Sequence, residues 1–254
     1  MEEGLFTAVL TVGFSAFIAP EDKFFRCLIF CEVFEMKDKR FIKKLTTLSM
    51  LCAVAYVALF FSRMLPPIVL FLQYDPKDIV ITLGGFIFGP LSSALISVVV
   101  SLVEAVTVSD TGPIGLVMNI ISTCTFACTA AVIYKKKRTL SGAVIGLVAG
   151  CLFTTAAMLL WNYAITPMYM NIPREEVKAL LVPAFLPFNL IKGGLNTAFT
   201  LLLYKPVVSA LRKAKLIPPA SSEQNGKVLP NVAIAVVSVL VIATLIAVIF
   251  ILRK

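Results

Sequence analysis

Histidine is absent from the 254-residue chain. Without an imidazole there is no His-based catalytic triad, no His proton relay and no His metal site. The phosphate-cradling pattern GxxxxGK[ST] is also absent, so the sequence carries no P-loop ATPase of its own. Charge is scarce, at 15% Asp, Glu, Lys and Arg against about 25% in an ordinary soluble domain. No catalytic residue is expected: no nucleophile is paired with a base and no metal-ligand cluster stands out, so an integral membrane enzyme is the weakest class. The six cysteines (Cys27, Cys31, Cys52, Cys124, Cys128, Cys151) lie in or beside apolar segments. Their two CxxxC pairs have helical rather than CxxC spacing, which favours plain buried thiols over a metal or a disulfide.

What is present in excess is apolar surface. Hydrophobic residues make up 59% of the chain, against about 45–50% in soluble domains, and the mean hydropathy is +0.95. Several near-continuous apolar runs have the length of a spanning helix, which takes about 20 residues. The expectation is an all-α, multi-pass integral membrane protein whose partner is the lipid bilayer. The formal charge of +9 would suit nucleic acid, but membrane topology explains it better, and no nucleic-acid partner is expected.

Basic residues fall in three clusters: Lys37, Lys39, Arg40, Lys43 and Lys44; Lys135 to Arg138; and Arg212, Lys213 and Lys215. By the positive-inside rule all three face the cytoplasm, so an even number of crossings separates each from the next. Between the first two lie the runs Leu45 to Ser62, Ile79 to Val108 and Pro113 to Tyr134. The middle run must therefore cross twice, and it divides at Gly89-Pro90, where a helix cannot continue its hydrogen-bond ladder. Ile79 to Phe88 then rises only about 15 Å, so a short, partly protected second helix is expected. Ser141 to Ile165 and Val182 to Tyr204 cross out and back. The outer loops, with Arg63, Asp75, Lys77 and Asp78 in one and Arg174, Glu175, Glu176 and Lys178 in another, are nearly neutral.

The result is a six-helix core over residues 36–215, with its N-terminus cytoplasmic in the cell membrane. A flexible loop follows at 216–230, then an additional C-terminal transmembrane helix at 231–254, whose Arg253 and Lys254 would lie outside. Residues 1–35 form an uncertain extension. Its apolar stretch Leu5 to Pro20 follows Glu2 and Glu3 without a basic residue, which makes a poor signal peptide. Met36 is a candidate start, with an interfacial N-terminal helix as the alternative.

Polar residues inside a membrane are costly, at about 2.5–3.5 kcal/mol each on insertion scales, and usually line a cavity. Glu104 falls near the outer end of the third span, Asn119 about 9 Å into the fourth, and Asn162 at the outer end of the fifth. Asn189, Lys192 and Asn196 share one face of the sixth by their i, i+3, i+7 spacing. Interhelical hydrogen bonding would explain a lone Asn. Four asparagines with a Lys and a Glu at matching depths point instead to an outward-facing ligand pocket floored near Lys192. Amide side chains suit a neutral, carbonyl-rich molecule, and Tyr74, Trp161, Tyr163, Phe185 and Phe188 could stack on a flat ring. Each aromatic alone also reads as interfacial belt or lipid-facing filler. Gly142, Gly146 and Gly150 form GxxxGxxxG at the start of the fifth span, which permits close helix approach.

The segments LQYDPKDIVITLGGFIFGP (Leu72 to Pro90), GPIG (Gly112 to Gly115), WNYAITPMY (Trp161 to Tyr169) and PFNLIKGGLN (Pro187 to Asn196) resemble the riboflavin-specific substrate-binding subunit, or S component, of energy-coupling factor (ECF) transporters. The likeness runs in order from about Met36 to Lys215, and NY-x3-P followed by PFN-x2-K is its specific part. The resemblance implies a six-helix protein that captures riboflavin from outside, with flavin mononucleotide (FMN) as a further candidate ligand. It implies no cofactor. ATP is used by partners, a transmembrane coupling subunit and two ATP-binding subunits, and the S component topples in the membrane to release the vitamin.

By position, Asn162, Asn189 and Lys192 match motif residues of flavin binding, and the loop around Tyr74 and Asp75 forms the outer lid. Glu104, Asn119 and Asn196 rest on depth and face. The family's AxxxA step toward the coupling subunit is replaced here by Ser49-x3-Ala53 and Ala53-x3-Val57. A chain ending near Lys215 is expected to bind flavin still. The alternatives are an S component for another vitamin, or a proton-coupled secondary transporter using Glu104 and Lys192 as its pair.

Overall fold

The structure is a computed structural model that describes residues 39–64, 73–108, 112–170 and 173–216, together with 239, 241 and 243. The candidate start at Met36, the extension 1–35, the loop from residue 217 onward, Cys27 and Cys31 lie outside the described residues. So does the additional helix, apart from the helical positions 239, 241 and 243. The chain divides into two compact units, Met1–Leu45 and Thr46–Lys254, and the site described below belongs to the second.

Among the described residues every regular element is helical. Helix α1 (Lys39–Arg63) turns Leu48, Leu51, Ala55 and Leu59 inward, a 3-4-4 spacing that puts them on one stripe. Its opposite face is exposed. Helices α2 (Lys77–Phe88) and α3 (Pro90–Thr107) meet at Gly89, whose φ of +101° suits a residue without Cβ. Pro90 opens α3 at the position where its missing N–H costs no hydrogen bond. The apolar run is thus two helices, broken at the expected dipeptide.

Helix α2 is only about 18 Å long, yet nine of its twelve residues are buried. A Cβ on Gly85 would lie 1.9 Å from Ser93 Oγ and 2.9 Å from Ala131 Cβ. The glycine therefore lets α3 and α4 (Gly112–Lys137) close directly on the α2 backbone. Helix α5 (Leu140–Met170) packs on α4 in the same manner. A Cβ on Gly146 or Gly150 would come within 2.7 Å of the Ala130 or Phe126 carbonyl oxygen. The second and third glycines of GxxxGxxxG thus make the close approach, whereas Gly142 faces Lys137, the last residue of α4.

Helix α6 (Arg174–Leu180), a π-helical turn (Leu181–Phe185) and α7 (Leu186–Lys213) follow one another without a break. The wider turn contains Pro183, and the Leu186 N–H reaches back to the Leu181 carbonyl. Five segments are long and apolar enough to cross a membrane: Phe41–Arg63, Pro90–Thr107, Gly112–Lys137, Ser141–Met168 and Arg174–Leu211. With α2 enclosed among them, the chain is a multi-pass membrane protein.

Two apolar clusters set the level of the polar site. One joins Leu48, Leu51 and Ala55 of α1 to Ile81 of α2, Ile96 and Val100 of α3, and Ala127 of α4. The other joins Phe86, Phe126, Ala130, Tyr134 and Leu147. Ile81 and Ala127 lie one helical turn beyond Asp78 and Thr123, so this apolar packing adjoins the polar residues.

Candidate functional site

Residues 73–75, just before α2, are fastened at several points. Ser62 Oγ donates to the Tyr74 carbonyl, and Arg63, the last residue of α1, donates to Gln73 Oε1. Arg63 Nη2 also lies 3.0 Å from Asp75 Oδ1 and pairs with Glu104 of α3. Lys77, with no exposed surface, donates to the other Glu104 oxygen. Lys192 of α7 donates to Asp75 Oδ2 at 2.7 Å and lies 3.6 Å from Asp78 Oδ2. Asp78 accepts from Thr123 Oγ1 at 2.7 Å and from Asn196 Nδ2 at 3.2 Å.

Three cations and three carboxylates from four helices and one loop are therefore joined in a continuous network whose formal charges cancel. Cancellation is what makes the burial tolerable, because an isolated buried ion costs several kcal/mol even after relaxation. Burial by itself would push the Asp75 carboxyl up, but Lys192, then Lys77 and Arg63, outweigh it and hold Asp75 well below the usual carboxylate range. Tyr74 is pushed above its ordinary value, first by burial and then by the Asp78 and Asp75 charges.

Of the residues singled out by sequence, Asp75, Glu104, Lys192 and Asn196 meet in this network, with Tyr74 beside it. Asn119 is buried on α4, one turn from Thr123 and on the same face. Asn162 and Asn189 are buried too, but their amide nitrogens donate to their own helices, at the Met158 and Phe185 carbonyls, each at 2.7 Å. Asn162 Oδ1 accepts from Thr166 Oγ1 at 2.9 Å. Among the described residues, Tyr74 OH, Ser101 Oγ, Thr154 Oγ1 and Asn196 Oδ1 are buried without a protein partner. Such atoms remain available to a polar ligand.

The structure separates Glu104 from Lys192 as a pair. Glu104 is held by Arg63 and Lys77, and Lys192 by two aspartates. It also shows Lys77 and Asp78, expected in a neutral outer loop, to be buried in the first turn of α2. Arg63, Lys77, Asp78 and Thr123 join this network without having been singled out by sequence. Their signal was the dense charge of Asp75, Lys77 and Asp78 directly beside an apolar run too short to span by itself. The aromatic candidates divide: Phe185 and Phe188 pack with Val177 in a core cluster, Trp161 is half-buried, and Tyr163 is exposed. Ser49, Ala53 and Val57 all lie on the exposed face of α1. The described cysteines are free thiols, and among the described residues no group of three metal ligands occurs.

Lys192, Asn196 and the hydroxyls beside them bring hydrogen-bond donors and acceptors together among buried helices.

The family model for the substrate-specific component of ECF transporters matches residues 43–204. The chain is 30% identical over 177 residues to the riboflavin transporter RibU of Staphylococcus aureus (strain TCH60), covering 67% of this chain and 93% of that protein. It is 27% identical over 187 residues to the riboflavin transporter FmnP of Bacillus subtilis (strain 168), covering 69% of this chain and 98% of that one. A solved chain, described as the S component of a bacterial ECF transporter, superposes with a TM-score of 0.56 at 30% identity, over 67% of this chain and 98% of its own.

Proposed function

From the premise that the chain belongs to the family of substrate-specific components of ECF transporters, we propose that it binds riboflavin at its outer face and delivers it for ATP-driven uptake. The observation that carries this reading is the convergence of Lys192, Asp75, Asp78 and Asn196 on one buried site in a chain whose relatives are riboflavin transporters along nearly their whole length. Riboflavin presents a flat ring edge with two carbonyls and an N–H, which an ammonium, amides and a carboxylate complement. The balanced network supports a neutral ligand and disfavours the phosphate dianion of FMN, which would enter a site whose charges already cancel.

In this reading the chain performs no chemistry on its ligand. Energy comes from a transmembrane coupling subunit with two ATP-binding subunits, and the three basic clusters support a cytoplasmic side for the core's N-terminus and the α4–α5 connection. The test is direct binding. Protein purified in detergent and freed of flavin is expected to quench riboflavin fluorescence at one-to-one stoichiometry. Folded protein that leaves the fluorescence unchanged would refute the proposal.

A further inference from the structure

The two carboxylates that share Lys192 are not equivalent. Asp75 lies in the segment before α2, and its other oxygen is 3.0 Å from the Arg63 guanidinium. Asp78 lies in the first turn of α2, and its oxygens also accept from the neutral donors Thr123 and Asn196. Among the described residues Lys192, at 3.6 Å, is the one cation within salt-bridge distance of Asp78.

Separating Lys192 from Asp75 leaves Asp75 with Arg63. Separating it from Asp78 leaves a carboxylate at 1% exposure with no cation in salt-bridge contact among the described residues, the arrangement that costs most in a buried pair. We propose that Asp78 is the fixed positioning residue of Lys192, and that Asp75 is an internal competitor whose place on the ammonium a ligand carbonyl takes. This rests on the riboflavin reading of the same site.

In the exchange no buried charge is left unpaired. Arg63 retains Asp75, Asp78 continues to neutralise Lys192, and one ammonium N–H passes from a carboxylate to the flavin carbonyl. The ligand then meets a Lys192 that is available for only a fraction of the time, and the apparent affinity is reduced by that fraction.

Asp75→Asn and Asp78→Asn change the net charge by the same amount, so a general electrostatic effect would move both in one direction. The proposal requires opposite directions, read by stopped-flow quenching of riboflavin fluorescence. Asp75→Asn is expected to raise the association rate about threefold or more, with dissociation unchanged, because the competitor is weakened. Asp78→Asn is expected to speed dissociation and weaken affinity about tenfold. Thr123→Val, which removes one donor to Asp78 while keeping the shape, is expected to act as Asp78→Asn does but more weakly, and it carries the test if Asp78→Asn fails to fold. Slower association or weaker binding in Asp75→Asn would overturn the proposal, as would unchanged dissociation in Thr123→Val. Wild-type protein that binds no riboflavin would sink the functional reading itself, whereas normal wild-type binding with shifts of one sign would sink only this inference.

Discussion

Lys77 meets Glu104 with both side chains at or below 1% exposure, and for such a pair removing one partner costs more than removing both. Lys77→Met should lower stability by about 1–3 kcal/mol, because one buried Glu104 oxygen loses its donor while Arg63 still pairs with the other. Adding Glu104→Met should recover most of that loss, since the desolvation cost of both ions disappears together. Thermal unfolding in detergent of the two single variants and the double variant measures this, and losses that simply add would show that the two residues do not act as a pair. Lys192 and Asn196 were legible in the sequence because a polar residue in the middle of an apolar helix has no bland explanation beyond a helix contact. Lys77 and Asp78 were not legible, because a charged stretch between two apolar runs has the same composition whether water or neighbouring helices surround it. Burial follows from the enclosure of α2, which is a property of the assembly.

At the level of elements, the break between α2 and α3 could be read directly, since Pro90 has no N–H to donate and Gly89 accepts a positive φ that other residues resist. The start of α7 could not. Val182 to Tyr204 reads as one span and is one, but the continuous helical segment begins earlier, at Arg174, and passes through a π-helical turn around Pro183 before α7. The placement of α7 against α5 depends on Gly193, the neighbour of Lys192. A Cβ there would lie 2.4 Å from Cys151 Sγ and 3.1 Å from Cys151 Cβ. Gly193→Ala should therefore destabilise the protein by about 1–3 kcal/mol through overpacking. Combining it with Cys151→Ala, which removes the sulfur, should restore most of the loss. A double variant no more stable than Gly193→Ala alone, in the same unfolding assay, would show that the helix contact is not limiting.

For the whole molecule, the positions of the charges carry more information than their sum, and the site and the α1 surface separate two tasks. The inward face of α1 packs through Leu48, Leu51, Ala55 and Leu59, while Ser49, Ala53 and Val57 repeat every fourth residue on its exposed face. A step of small residues allows another helix to approach closely, and the family membership calls for partner subunits, so this face is the candidate place of docking. The spacing was legible in the sequence, but its direction was not, because an all-apolar helix gives no polar side to orient by. Ala53→Trp adds bulk to the exposed face and touches none of the residues around Lys192. It should leave riboflavin affinity within about twofold of wild type, since surface substitutions away from a site usually change little, while ATP-dependent uptake in vesicles holding the coupling and ATP-binding subunits should fall strongly. Uptake equal to wild type would move docking to another surface. Uptake by the chain alone, in vesicles without partners or ATP, would favour a self-contained carrier, an outcome that the separation of Glu104 from Lys192 into different ion pairs argues against.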